Sequence, residues 1–147
     1  MAGLAGGWRV DFPRHDAEQL FALAADIESY PRFLPWCRSA RILSRRDQAW
    51  EVDNVFGAGP VLAHFRSHAV FDRPHLLEIT ASEAPFRRFR LSWRFEPLGA
   101  AGCRVTADYA MDFRSSLLAA MARMALPEME RKVVQRFKDR VRQVYGR

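Results

Sequence analysis

The stretch Phe89-Arg90-Leu91-Ser92-Trp93-Arg94-Phe95-Glu96 alternates apolar and polar residues along its whole length. An extended chain therefore puts Phe89, Leu91, Trp93 and Phe95 on one face and Arg90, Ser92, Arg94 and Glu96 on the other. A helix would scatter both sets around its axis. The pattern predicts a strand with one buried and one solvated face, the habit of antiparallel sheets. Past the two-glycine loop at 97–102, residues 103–113 repeat it: Cys103, Val105, Ala107, Tyr109, Met111 and Phe113 face inward, and Arg104, Thr106, Asp108, Asp112 and Arg114 outward. Upstream, strands are expected at 41–45, 49–56, 61–72 and 75–82. They are separated by Gly57-Ala58-Gly59-Pro60 and Asp72-Arg73-Pro74, and together they form an antiparallel meander.

The flanks of the meander have helical spacing. Residues 8–12 predict a first strand; Pro13 and Asp16 then open a helix carrying Leu20, Phe21, Ala24 and Ile27, and Asp16 with Gln19 forms a capping-box pattern. Pro31 disfavours helix at Tyr30, so a second, shorter turn is expected to carry Phe33 and Leu34 before Pro35 stops it. At the far end Ser115 or Ser116 caps a long helix through Leu118, Met121, Met129, Val133, Phe137, Val141 and Val144, closed by Gly146. Pro127 inside it predicts a kink or a fresh helix start. The class is α+β.

A length of 147 residues, 49% hydrophobic and 12% aromatic, suits one domain over 1–147, with residues 1–7 expected to be flexible. Met1 to Gly7 lacks a basic segment and a long apolar one, and no later run approaches the roughly 20 apolar residues of a membrane span. A cytoplasmic protein is expected, peripheral at most on the inner membrane. Cys37 and Cys103 stand far apart without a CxxC partner and suit buried fillers better than a disulfide or a metal site. The net charge of +6 points to an anionic neighbour, a phospholipid leaflet or ribosomal RNA; DNA is not expected.

A strongly curved sheet closed by one helix need not be filled by its own side chains. The inward residues Val52, Asn54, Phe65, Ser67, Phe71, Leu77, Ile79, Leu91, Trp93, Tyr109 and Met111 face Met121, Met129, Val133 and Phe137 of the helix. That wall is apolar with a few polar handles, as in small-molecule pockets. Such stripes are more often plain core, so the arrangement as a whole carries the expectation.

The octapeptide Tyr30-Pro31-Arg32-Phe33-Leu34-Pro35-Trp36-Cys37 resembles the YPxFLPWC signature of the coenzyme Q-binding START-like family, which also holds ribosome association toxins. Glu18 to Phe21 with Asp26, Pro85-Phe86-Arg87-Arg88, Trp93-Arg94-Phe95, Cys103-Arg104-Val105, Phe113 to Leu118 and Val144-Tyr145-Gly146 extend the resemblance over nearly the whole chain. Ala84 stands where the family usually has glycine, and Pro127 interrupts a helix commonly unbroken. The resemblance implies the helix-grip fold of the START and polyketide cyclase superfamily: a curved antiparallel sheet around a long C-terminal helix, with two short helices after the first strand. It implies a hydrophobic tunnel for a polyprenyl quinone or related lipid, and it adds Phe33, Leu34 and Trp36 to the lining residues.

Chemistry has few candidates. His64 and His68 share a strand face but stand roughly 13 Å apart, too far to hold one metal. Cys37 has no nucleophile motif, the acidic residues lie mostly outward, and there is no glycine-rich phosphate loop. Neither cofactor nor metal is expected. Three functions stand in order: a non-enzymatic carrier of a hydrophobic small molecule, a ribosome-associating regulator, and an aromatase or cyclase acting on a polyketide.

Overall fold

The computed structural model describes residues 3–58 and 61–146, the side chains of Ala58 and Val61 excepted. In chain order it contains β1 (Gly3–Phe12), α1 (Ala17–Ala25), a short 3-10 helix (Ile27–Arg32), β2 (Cys37–Arg46), β3 (Ala49–Ala58), β4 (Val61–Asp72), β5 (Leu76–Ala81), β6 (Phe86–Leu98), β7 (Gly102–Phe113) and α2 (Ser116–Tyr145). The fold is the α+β helix-grip of the START type: a seven-stranded antiparallel sheet in the order β1-β7-β6-β5-β4-β3-β2, with α2 across its inner face.

Local chemistry explains the element ends. The Asp16 carboxylate accepts from Gln19 N, and the Gln19 side chain accepts from Asp16 N, completing the capping box of α1. Ser115 caps α2 through Leu118 N, and Gly146 ends it at φ 87°, a left-handed conformation that glycine takes without strain.

Several boundaries differ from expectation. β1 begins at Gly3 rather than Trp8, because Gly3 to Gly7 pair with Asp112 to Asp108 of β7; only Met1 and Ala2 of the segment expected to be flexible lie outside the described residues. The turn containing Pro31 is a 3-10 helix that includes Tyr30 and ends before Phe33. Within it the Tyr30 hydroxyl donates to Ala24 O at 2.5 Å and ties the segment to the end of α1. α2 runs through Pro127 as one helix, so there is no fresh start. Gly59 and Pro60 of the β3–β4 turn lie outside the described residues.

The alternation of β6 holds. Phe89, Leu91, Trp93 and Phe95 are buried, as are Cys103, Val105, Ala107, Tyr109 and Phe113 of β7. Ser92 departs from the pattern, because on the outer face it is covered by Arg90, which donates to it, and Glu78, which accepts from it, both at 2.9 Å. His64 and His68 are exposed on that face, His64 at 2.7 Å from Asp53.

Candidate functional site

Period two decides which face a strand residue takes; the side chains of α2 decide which end of that face is filled. In its C-terminal half Val133, Phe137 and Val141 are buried. Phe137 packs on Phe12, Phe33 and Trp93 at ring separations of 5.8, 5.7 and 5.3 Å. Phe21 of α1 closes the same end against Phe71 and Phe95. That end is solid core.

The other end is hollow. Between the sheet and the first half of α2 lies a cavity of about 330 Å³. Its sheet wall is Trp8, Phe56, Gly57, Leu62, Ala63, Phe86, Phe89, Leu91, Tyr109, Met111 and Phe113, with Trp36 and Pro85 at the sides. The helix wall is Leu118, Met121, Ala122, Ala125, Leu126, Met129 and Glu130. Ala122 and Ala125 leave space where Val133 and Phe137 fill it. The rings of Phe56, Phe86, Phe89 and Phe113, joined through Phe65 behind them, form a continuous aromatic cluster, neighbours lying 4.7–5.1 Å apart.

One polar pair interrupts this wall: the Tyr109 hydroxyl donates to Glu130 Oε2. Gly6 of β1 permits the pair, since a Cβ there would collide with the Tyr109 hydroxyl and lie 2.9 Å from Glu130 Oε2. Burial, and then the adjacent Glu130 carboxylate, push the Tyr109 phenol well above its ordinary range, so it keeps its proton and remains a donor.

A second space of about 20 Å³, room for one water-sized group, lies behind Trp36, Phe56, Phe89 and Leu91, which line both. Asn54 and Ser67 bring polar groups to its otherwise largely apolar lining. Asn54 Nδ2 donates to the carbonyls of Val52 and Phe65, each at 3.2 Å, and to Ser67 Oγ at 2.9 Å. Two carbonyl acceptors dictate which end of the amide is nitrogen. The Ser67 proton and Asn54 Oδ1 take no partner among the described residues, leaving one donor and one acceptor.

Of the lining residues expected from sequence, Trp36, Leu91, Tyr109, Met111, Met121 and Met129 surround the larger cavity, and Leu34, Asn54, Phe65, Ser67 and Ile79 the smaller. The others face inward at the filled end. Phe33, Trp93, Val133 and Phe137, with Val52 and Leu77, are core, and Phe71 packs on Phe21 and Trp50 at 5.9 and 4.9 Å. Sequence reasoning missed Trp8, Phe56, Phe113, Ala122, Ala125 and Glu130 as lining. The alanines were the available signal, marking where α2 stands off the sheet.

Burial pushes the Cys37 and Cys103 thiols up to about 11, far from the thiolate a nucleophile requires at neutral pH. Among the described residues no three His, Cys, Asp or Glu side chains converge on a metal position. Nor is any described helix long and apolar enough to cross a membrane.

A sheet gripping a C-terminal helix around an internal apolar cavity defines the class: a START-type helix-grip protein with a hollow interior. Residues 14–138 match the family described as polyketide cyclase/dehydrase and lipid transport, and the chain belongs to that family. The ribosome association toxin RatA of Pseudomonas aeruginosa is 26% identical over 132 residues, covering 90% of this chain and 92% of the toxin. The mitochondrial coenzyme Q-binding protein COQ10 homolog B of Xenopus laevis is 24% identical over 156 residues, 99% of this chain but 64% of that protein. Among solved structures, TTHA0849 from Thermus thermophilus superposes with a TM-score of 0.80 at 17% identity, covering 97% of this chain and 99% of that one.

Proposed function

We propose that the chain binds an apolar small molecule carrying a hydrogen-bonding head, and that it does so in the larger cavity. The observation that carries this reading is the cavity itself, about 330 Å³ with a wall apolar except for Tyr109 and Glu130. The pocket opens to solvent at its mouth, so without a guest it holds water against an apolar wall, at a free-energy cost. Water is a poor filling, because it finds few polar partners there. An apolar guest removes the cost. The proposed role is binding and transport without a chemical step, in the cytoplasm; the high positions of the Tyr109 phenol and both thiols argue against base or nucleophile chemistry.

A polyprenyl quinone is one guest, supported by the coenzyme Q-binding relative. Solvent extraction of the purified protein followed by mass spectrometry is expected to release an isoprenoid or other lipid. An extract without one, together with no uptake of added quinone, would remove this reading.

A second reading, ribosome association, has better support from the relatives than the quinone has. The toxin matches over a larger share of its own length and at slightly higher identity. The basic face of α2, with Arg131, Lys132, Arg136 and Arg142 exposed, offers a surface for rRNA. Co-migration with ribosomal subunits on a low-salt sucrose gradient tests it, and its absence there would exclude it. The third alternative, an aromatase or cyclase, is tested by incubation with a linear polyketide, for which no cyclised product is expected.

A further inference from the structure

We propose that the mouth of the larger cavity docks on an anionic lipid bilayer. The inference rests on the ligand-binding reading above and names the surface from which the guest comes and goes. Four large apolar side chains are exposed around this mouth: Leu62 at the β3–β4 hairpin, 64% exposed, and Leu117, Met121 and Met124 on α2, at 70%, 45% and 85%. Leu62 and Met121 also belong to the cavity wall, so the exposed patch and the interior are continuous.

Leu117, Met121 and Met124 stand at i, i+4 and i+7, one stripe along the helix. Leu118, Ala122, Ala125 and Met129 take the neighbouring face, toward the cavity. From Leu117 to Pro127 the only charged residue is Arg123. The start of α2 is thus apolar on the cavity side and on the water side, whereas a surface helix ordinarily needs a single apolar stripe. The second stripe calls for a second apolar surrounding.

Charge decides which one. Arg38, Arg87 and Arg123 are exposed and make no ion pair within 4.0 Å among the described residues. Arg38 lies against Gly57 of the cavity wall, Arg87 follows the lining residue Phe86, and Arg123 precedes Met124 on α2, about 120° around the helix axis from the stripe. Nearby carboxylates are engaged: Glu128 with Arg131, Glu130 with Tyr109, and Glu83 with Arg66 N. Asp112 stands opposite Arg88 in the β6–β7 register. Apolar tips flanked by free guanidinium groups match acyl chains beneath lipid phosphates. Ribosomal RNA would use the arginines but gives Leu117 and Met124 nothing apolar to enter.

The test is sedimentation with vesicles of phosphatidylcholine, with and without phosphatidylglycerol. Wild type is expected to sediment with the anionic vesicles, the Leu117→Ser/Met124→Ser double variant to bind them at least about tenfold more weakly, and Arg87→Glu about fivefold more weakly. Leu117 and Met124 lie outside both cavities, so uptake of cis-parinaric acid in vesicle-free solution is expected to stay unchanged in the double variant. Wild type that takes up cis-parinaric acid but ignores the vesicles would overturn the docking proposal alone. So would a double variant that sediments like wild type, or a wild-type dimer that the double variant dissolves. Wild type that takes up no cis-parinaric acid overturns the ligand-binding reading and this inference together.

Discussion

Asn54 holds three acceptors with one amide nitrogen, and Ser67 is the only side chain among them. Ser67→Ala keeps the two carbonyl partners, so a loss of about 1 kcal/mol is expected in urea denaturation. Tyr109→Phe is costlier, about 1.5–3 kcal/mol, because it takes the phenol donor from the half-buried Glu130 carboxylate; Glu130→Gln in the same background is expected to restore part of the loss. The cysteines add a pH dependence. Their folded thiols titrate near 11 against an ordinary 9.0, so between those values the unfolded chain gives up protons that the folded chain keeps. Their contribution is complete below pH 9 and is lost as the pH rises toward 11. Urea midpoints across that range test this, and the Cys37→Ala/Cys103→Ala variant should fall less steeply.

The two halves of α2 behave as different elements. Phe137→Ala, in the filled end, is expected to cost ~3–5 kcal/mol. Met129→Ala borders a space already present and is expected to cost well under half as much, a contrast read from the same urea curves. This division also shows what sequence carried. Alternation in β6 and β7 assigned both faces, and the Asp16–Gln19 pattern placed the start of α1. Periodicity contains no information about position along a strand, so Trp93 was expected in the lining and Phe89 was not, although Trp93 is core and Phe89 is cavity wall. The pairing of β1 with β7 joins residues about a hundred positions apart and has no local signature. The loss of bulk from Phe137 and Val133 to Ala125 and Ala122 was present in the chain, but its meaning depends on the sheet it faces.

At the scale of the whole molecule, part of the net charge of +6 gathers along α2, where the exposed Arg131, Lys132, Arg136 and Arg142 follow the apolar stretch at its start. The basic face lies toward the end of α2, and the apolar mouth with Arg38, Arg87 and Arg123 lies toward its start. On the ribosome reading, Arg136→Glu/Arg142→Glu is expected to abolish co-migration with ribosomes; on the docking proposal, vesicle binding through the start of α2 is expected to persist in that variant. Salt sharpens the test, since rRNA binding through phosphates weakens steeply as ionic strength rises. All of this depends on an interior that admits a guest. The most direct measurement is a fluorescence titration of cis-parinaric acid into wild type and Ala122→Phe, whose added ring occupies the cavity. Saturable binding by wild type, weakened at least about tenfold in a variant that is folded and no less stable, is the predicted result; no binding by wild type, or equal binding by both, would contradict the account.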